Sequence, residues 1–293
     1  MGESVEKEER TEIKGLKMTA ESLAQAVVIA NREIVTGHFL MVLKVPSLFR
    51  ESRPGQFVMM RLPGREIPFL GRPFSIHAVY SRGDDTLMEI IYHVVGGGTA
   101  VIAGLGGGES VTLTGPLGHG FDIPAGRKTV VIIAGGIGLA PLAFLAERRR
   151  EASAEKDERL VCYAGFRDSD HIYGMERFEA ACSEIKISTD DGSRGYHGPV
   201  TALFQDDIRS YGSDDTIVCA CGPGAMLESL VRVVRRHAIP CQVSMEERMA
   251  CGIGACLGCA VEAASKKKRY LRVCKEGPVF DVNDLAWRVR GNE

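Results

Sequence analysis

Four cysteines near the C-terminus restrict this chain more than any other feature. Cys251, Cys256, Cys259 and Cys274 are spaced C-x4-C-x2-C-x14-C. A backbone that brings three thiols to one place within so few residues must fold tightly on itself. Gly252, Gly254 and Gly258 are expected to supply the positive φ angles and small volume that this needs. The spacing of the first three cysteines is one that wraps a [2Fe–2S] core. A tetrahedral zinc site is the alternative. Zinc sites usually present two C-x2-C arms, however, and here Cys251 and Cys274 stand outside the single arm 256–259. The other cysteines, at 162, 182, 219, 221 and 241, are scattered through apolar segments, as small buried thiols are.

The surroundings of this segment divide by texture. Residues 1–21 are polar and aperiodic and read as a flexible extension. Across 22–126, short β-rich runs at 25–34, 39–45, 56–62, 73–80, 86–93 and 110–115 alternate with turn residues, which predicts a six-stranded antiparallel barrel. Across 127–240, buried strands at 130–134, 160–164, 185–188 and 216–221 alternate with helices, among them 139–150 and 225–237. That order predicts a parallel sheet covered by helices. Residues 241–293 form the cysteine-bearing segment, in which the basic run 266–269 is expected to tip a solvated hairpin. The fold class expected is therefore β-barrel plus α/β, with a small C-terminal [2Fe–2S] domain.

With 36 basic against 38 acidic residues, no global field points to nucleic acid or an anionic membrane. No run approaches the ~20 apolar residues that span a bilayer, and the N-terminus is charged where a signal peptide is apolar. The expectation is a cytoplasmic protein whose thiols stay reduced.

Two glycine turns and one strand start carry the remaining chemistry. Arg72-Pro73-Phe74-Ser75 offers a guanidinium for a phosphate, a ring for a flat heterocycle and a hydroxyl. The run Tyr92-His93-Val94-Val95-Gly96-Gly97-Gly98-Thr99 ends a strand in glycines and opens a helix over 100–105, whose free N–H groups suit a pyrophosphate; Thr99 also reads as a simple N-cap. Val130–Ala134 runs into Gly135-Gly136-Ile137-Gly138-Leu139-Ala140-Pro141. This is a strand–turn–helix in which glycines allow close phosphate approach and Pro141 suits a first helical turn. Cys221-Gly222-Pro223-Gly224 ends a later strand at the carboxyl edge of the sheet, where such folds bind ligands; Cys221 is either a nicotinamide contact or a buried thiol.

In this order, Arg72-Pro-Phe-Ser75, Gly98-Thr99, Gly136-x-Gly-x-x-Pro141 and Cys221-Gly-Pro-Gly-Ala-Met226 resemble the ferredoxin-NADP reductase superfamily over residues 22–240. With the run from Glu246 through Cys259 and Cys274, the chain more narrowly resembles electron-transfer subunits of NAD-dependent dihydroorotate dehydrogenase. The fourth cysteine follows more closely than in plant-type ferredoxins. The resemblance implies FAD held by Arg72, Pro73, Phe74, Ser75, Ile91, Tyr92, His93, Gly98 and Thr99, where Phe74 and His93 replace the more usual tyrosine and arginine. It implies a [2Fe–2S] cluster on the four cysteines and NAD at Gly135, Gly136, Gly138, Pro141, Cys221 and Gly222. Asp168 would accept from the ribose hydroxyls, with Arg167 beside it. No general acid or base is expected in this chain. The implied partner is an FMN-containing catalytic subunit, in an assembly of two of each. Related NADH:ferredoxin, hydrogenase or sulfide dehydrogenase flavin subunits share these modules, and a zinc-stabilised binding module is the reading from another class.

Overall fold

A computed structural model describes residues 23–64, 68–152, 158–265 and 269–287. The expected extension over 1–21 and the tip of the basic hairpin, 266–268, lie outside the described residues. Seven strands build the first half: β1 (Leu23–Val35), β2 (His38–Val45), β3 (Phe57–Arg61), β4 (Arg72–Ser75), β5 (Ala78–Arg82), β6 (Asp85–His93) and β7 (Ser110–Leu117), with helix α1 (Gly97–Ala103) after β6. Their order is β4-β3-β7-β1-β2-β6-β5. The strand expected over 73–80 is delivered as β4 and β5, on opposite ends of this order. The chain thus bends at Ile76-His77 and closes the barrel, Ile76 N donating to Gln56 O and His77 N to Glu89 O. Both bend residues are buried. His77 sets its Nδ1 3.0 Å from the Ala140 carbonyl, and burial brings its pKa down to about 4, so the imidazole is neutral at neutral pH. Apolar side chains alternating inward along each strand, among them Val28, Met41, Leu43, Val58, Met88, Ile90 and Leu113, fill the barrel.

The second half follows the alternation in the sequence. It comprises β8 (Thr129–Gly135), α2 (Leu139–Ala152), β9 (Arg159–Phe166), α3 (Glu176–Ala181), β10 (Glu184–Thr189), β11 (Tyr196–His197), α4 (Val200–Asp207), β12 (Thr216–Cys221), α5 (Gly224–Arg236) and β13 (Cys241–Ser244). These strands lie parallel in the order β11-β10-β9-β8-β12-β13. Because β13 pairs with β12, the sheet runs on past residue 240, where the sequence reading turns to a separate segment. The hairpin β14 (Ala260–Glu262) and β15 (Tyr270–Arg272) belongs to the cysteine-bearing segment. Its last strand, β16 (Val279–Asp281), returns antiparallel onto β13.

Barrel and sheet are joined by a partly buried charge cluster. Arg177 on α3 reaches Glu89 of β6 at 2.7 Å and also pairs with Glu147 of α2. Glu89 additionally accepts from the Tyr80 hydroxyl at 2.9 Å. Burial holds the Glu147 carboxyl above the usual carboxylate range despite Arg177. Arg177→Met strands two carboxylates together and is expected to cost about 1–3 kcal/mol of stability at neutral pH. With Arg177 gone, Glu147 rises further. The deficit is therefore full above its folded pKa and shrinks as acid protonates it, which denaturant titrations at pH 7 and about pH 4.5 check.

Candidate functional site

The four cysteines sit where their loop is stitched by its own backbone. Gly254 N donates to Cys274 Sγ at 3.1 Å, Cys256 N to Cys251 Sγ, Gly258 N to Cys256 Sγ and Cys274 N to Cys259 Sγ, each of the last three at 3.4 Å. Gly252 and Gly254 take positive φ as expected, but the third left-handed residue is Leu257, at φ 58°, rather than Gly258. At Gly258 a Cβ would make only an ordinary contact, 3.4 Å from Cys256 Sγ. Gly252 is tight, because a Cβ would meet the Met59 side chain of the barrel at 2.3 Å. Arg272 pins the loop from below, donating Nη1 to Gly254 O at 2.8 Å while its Nη2 pairs with Glu276 at 2.5 Å.

The thiols fall into two pairs, Cys251 with Cys256 and Cys259 with Cys274, in each of which the amide of the later cysteine donates to the sulfur of the earlier one. Among the described residues no three Cys, His, Asp or Glu side chains converge as around one ion. Two pairs suit two irons with two thiolates each. Burial opposes a charged Cys251, yet amides of Ile253, Cys256 and Ala255 help bring its thiol down to about 7. Burial and the neighbouring Cys259 push Cys274 up to about 12. A cationic core held between the pairs would favour the thiolate form of all four.

A cavity of about 330 Å³ opens beside this loop, and it gathers the barrel's predicted residues. Arg72, Pro73, Phe74 and Ser75 of β4 form one side. Ile91, Tyr92 and His93 at the end of β6, with Val95 and Thr99, form another. Segments not expected there complete it: Ile137 and Ala140 from the turn after β8, and Ser244, Met245, Glu246, Glu247 and Met249 from the stretch between β13 and the cluster loop. Four segments of the chain thus meet at one opening, and only the first two were legible as a pair of flavin-site motifs. Surrounding protein raises the Glu246 carboxyl above its ordinary range, although its surface is open toward the cavity.

Arg72 and Gly98 touch. A Cβ on Gly98 would lie 2.7 Å from Arg72 Nε, so the glycine is what lets the guanidinium lie against the start of α1. Thr99 binds back rather than capping in the expected way. Its Oγ1 accepts from Val95 N at 3.0 Å and Gly96 N at 3.3 Å and donates to Gly96 O, which holds the glycine turn in shape. The Phe74 ring is 7% exposed and packs edge-on against Tyr92 at 5.4 Å, so it belongs to the barrel core. Tyr92 donates to Asn31 Oδ1 at 2.9 Å, and burial pushes its hydroxyl up to about 12.

The nicotinamide-side residues lie behind Ile137. Gly135 ends β8, Gly136 has φ 51°, and Pro141 falls in the first turn of α2. Gly138 packs against β12, where a Cβ would come within 2.2 Å of Cys221 O. Gly222 likewise leaves room for Met226. Cys221 is buried and its thiol is raised by burial first and then by Glu246, the fate of an inert cysteine at the sheet edge. Asp168 stands just beyond the end of β9 but is occupied locally. Its Oδ1 accepts from Asp170 N, His171 N and His171 Nδ1, and its Oδ2 from Arg167 Nε. A separate cleft of about 680 Å³ on the α3 side of Ile91 is lined by the Glu89–Arg177–Glu147 cluster and carries none of these motifs.

Comparison with known proteins agrees with this geometry. The iron-sulfur cluster binding domain of dihydroorotate dehydrogenase B matches residues 246–286, and an oxidoreductase NAD-binding domain matches 132–232. The dihydroorotate dehydrogenase B (NAD(+)) electron transfer subunit of Caldanaerobacter subterraneus subsp. tengcongensis is 37% identical over 264 residues, covering 90% of this chain and 98% of that one. The chain belongs to the dihydroorotate dehydrogenase B electron transfer subunits. Another member of the family, from Clostridium acetobutylicum, is 38% identical over 80% of this chain and 87% of its own length. Among solved structures, an NADH-dependent reduced ferredoxin-NADP oxidoreductase superposes with TM-score 0.75 at 25% identity, covering 89% of each chain. A ferredoxin NADP+ reductase from Neisseria gonorrhoeae shares the fold, with TM-score 0.61 at 16% identity over 74% of this chain and 92% of that one. As in those reductases, the family's barrel and parallel sheet stand side by side here, with the cluster segment added at the sheet edge.

Proposed function

We propose that this chain carries electrons from a dihydroorotate-oxidising catalytic subunit to NAD+, through a [2Fe–2S] cluster on Cys251, Cys256, Cys259 and Cys274 and an FAD held in the 330 Å³ cavity. The observation that carries the reading is the convergence of the Arg72–Ser75 strand, the turn after β8 and the stretch leading to the cluster loop on that one cavity. Bound there, FAD exchanges hydride with a nicotinamide and single electrons with an iron–sulfur cluster. Arg72 would neutralise a phosphate, and Gly98 admits the guanidinium to the N-terminal turn of α1. Thr99 fixes that turn. Ser75 and the backbone of Ile91–His93 orient the heterocycle, while Ile137 and the 244–249 stretch exclude water. Gly135, Gly136 and Gly138 let a dinucleotide phosphate approach, with Pro141 setting the helix direction. Asp168 Oδ2 accepts from the exposed Arg167 at 3.2 Å, a bond that a ribose hydroxyl would share or replace, and Asp168 is the group we assign to ribose recognition and the preference for NAD.

Oxidation of dihydroorotate falls to the partner, since a TIM barrel takes ~250 residues of its own. We assign the partner FMN and an assembly of two copies of each subunit. The preponderance of free thiols fits the cytoplasm. No described helix is long and apolar enough to cross a membrane. The likeness to the NADH-dependent reduced ferredoxin-NADP oxidoreductase favours, as second reading, a flavin subunit serving another redox partner; co-purification from the source cell separates the two. The purified protein is expected to be brown-yellow and to release FAD on denaturation, because the Gly98-Thr99 anion site is superfluous for a mononucleotide. Chromatography of the released flavin checks this, and FMN alone from the loaded protein overturns it.

A further inference from the structure

His93 reaches the flavin cavity from the end of β6, where the superfamily more usually has arginine. It is not alone there. His38, at the start of β2, is its cross-strand partner, and the two rings lie parallel, 4.2 Å apart and 2° from coplanar. Gly37 makes the room, for a Cβ there would meet His93 Nε2 at 3.3 Å. His38 is itself fixed, its Nδ1 lying 3.0 Å from Thr36 O. On the barrel's outer side Tyr173 covers His38 at 4.7 Å, and Phe166, the last residue of β9, stands edge-on to Tyr173 at 6.0 Å. Tyr173 is 8% exposed and its hydroxyl has no partner. Its place is therefore set by ring packing, not by a hydrogen bond. It closes the loop from 167 to 175, which also carries Asp168 and His171.

We propose that the His93–His38–Tyr173 stack is a positioning element for FAD: His38 orients His93 at the cavity, and Tyr173 ties that orientation to the nicotinamide-side loop. His38 is the positioning residue and His93 the group that faces the cofactor. Burial, then His93 and His171, outweigh the Thr36 carbonyl and keep His38 below its ordinary pKa; Asp168 is bound to His171 at 2.6 Å. The stack explains how a loop of the α/β half, outside the flavin cavity, bears on flavin binding.

The inference rests on FAD occupying the Arg72–Thr99 cavity, so the test includes a control for that reading. Full-length protein is stripped of FAD and refilled, and the Kd and the visible spectrum of the bound flavin are recorded. His38→Ala is expected to raise the FAD Kd by roughly five- to tenfold and to shift the flavin bands, as is Tyr173→Ala in the other half of the molecule. His38→Phe restores the ring and brings the Kd back to within about twofold of wild type, and Tyr173→Phe, which keeps the ring, behaves as wild type. Should His38→Ala fail to fold, His38→Gln, polar but ringless, takes its place. A Kd and spectrum unchanged in His38→Ala or His38→Gln and in Tyr173→Ala, or no rescue by His38→Phe, overturns the stack while Arg72→Ala still weakens FAD. If Arg72→Ala is also without effect, the cofactor's place falls and the stack with it.

Discussion

Cys256→Ser is expected to divide the protein's activities. A serine oxygen is a harder ligand than a thiolate, so with Cys256 among the proposed ligands the cluster would be lost or become labile. NADH oxidation by an artificial acceptor that draws on the flavin should stay within about threefold of wild type, because hydride exchange needs only the barrel and the parallel sheet. Dihydroorotate-dependent reduction of NAD+ in the complex with the catalytic subunit should fall to background. Both rates are measured on one preparation, after iron, sulfide, flavin and complex formation have been assayed. Coupled turnover in a cluster-free complex shows that electrons bypass these cysteines. Loss of both activities with FAD still bound shows that the cluster is needed for hydride transfer itself.

Arg72→Ala combined with Ser75→Ala should empty the barrel of flavin. A hydrogen bond to a charged group contributes about 1.5–3 kcal/mol, so removing the guanidinium alone costs roughly one to two powers of ten in affinity, and the hydroxyl adds to it. Gly98→Ala gives an independent check, since its Cβ falls 2.7 Å from Arg72 Nε and displaces the guanidinium without deleting it. Circular dichroism and NAD binding report whether the parallel sheet survives, as it should. Full flavin occupancy in the double variant assigns both residues to ordinary barrel structure.

How much of this was legible beforehand follows the range of the interactions. Alternation along a strand and the strand–glycine–helix run at 130–141 are local signals, and β1, β2, β8, β9 and β12 lie where they point. Cysteine spacing is likewise local. The bend at Ile76-His77 is not, because it depends on carbonyls of residues 56, 89 and 140 that no window around it contains. β13 hid behind Pro240 as four residues, too short for a pattern, and is defined by its pairing with β12 and β16. The 244–249 wall of the cavity was missed for the same reason. Asp168 carried an ambiguous signal: a carboxylate after a strand suits a ribose, but Asx caps are built from the same residue and spacing, and here Asp168 caps the turn 169–171. Leu257 gave no signal at all, since a left-handed leucine is recognisable only from its backbone.

The return of β16 onto β13 has a mechanical meaning. The segment that carries the four cysteines leaves the sheet after Ser244 and re-enters it at Val279, two paired neighbours, and Met245 N donates to Pro278 O at 2.8 Å where it leaves and returns. A module hung from a single linker can swing like a courier between donor and acceptor. This one is moored at both ends and leans on Met59 of the barrel through Gly252. With the cluster and FAD placed as proposed, the span between them would be set at the sheet edge, and electron tunnelling, steeply sensitive to distance, would meet the same span on every turnover. Docking would then have to bring the partner's donor to the cluster.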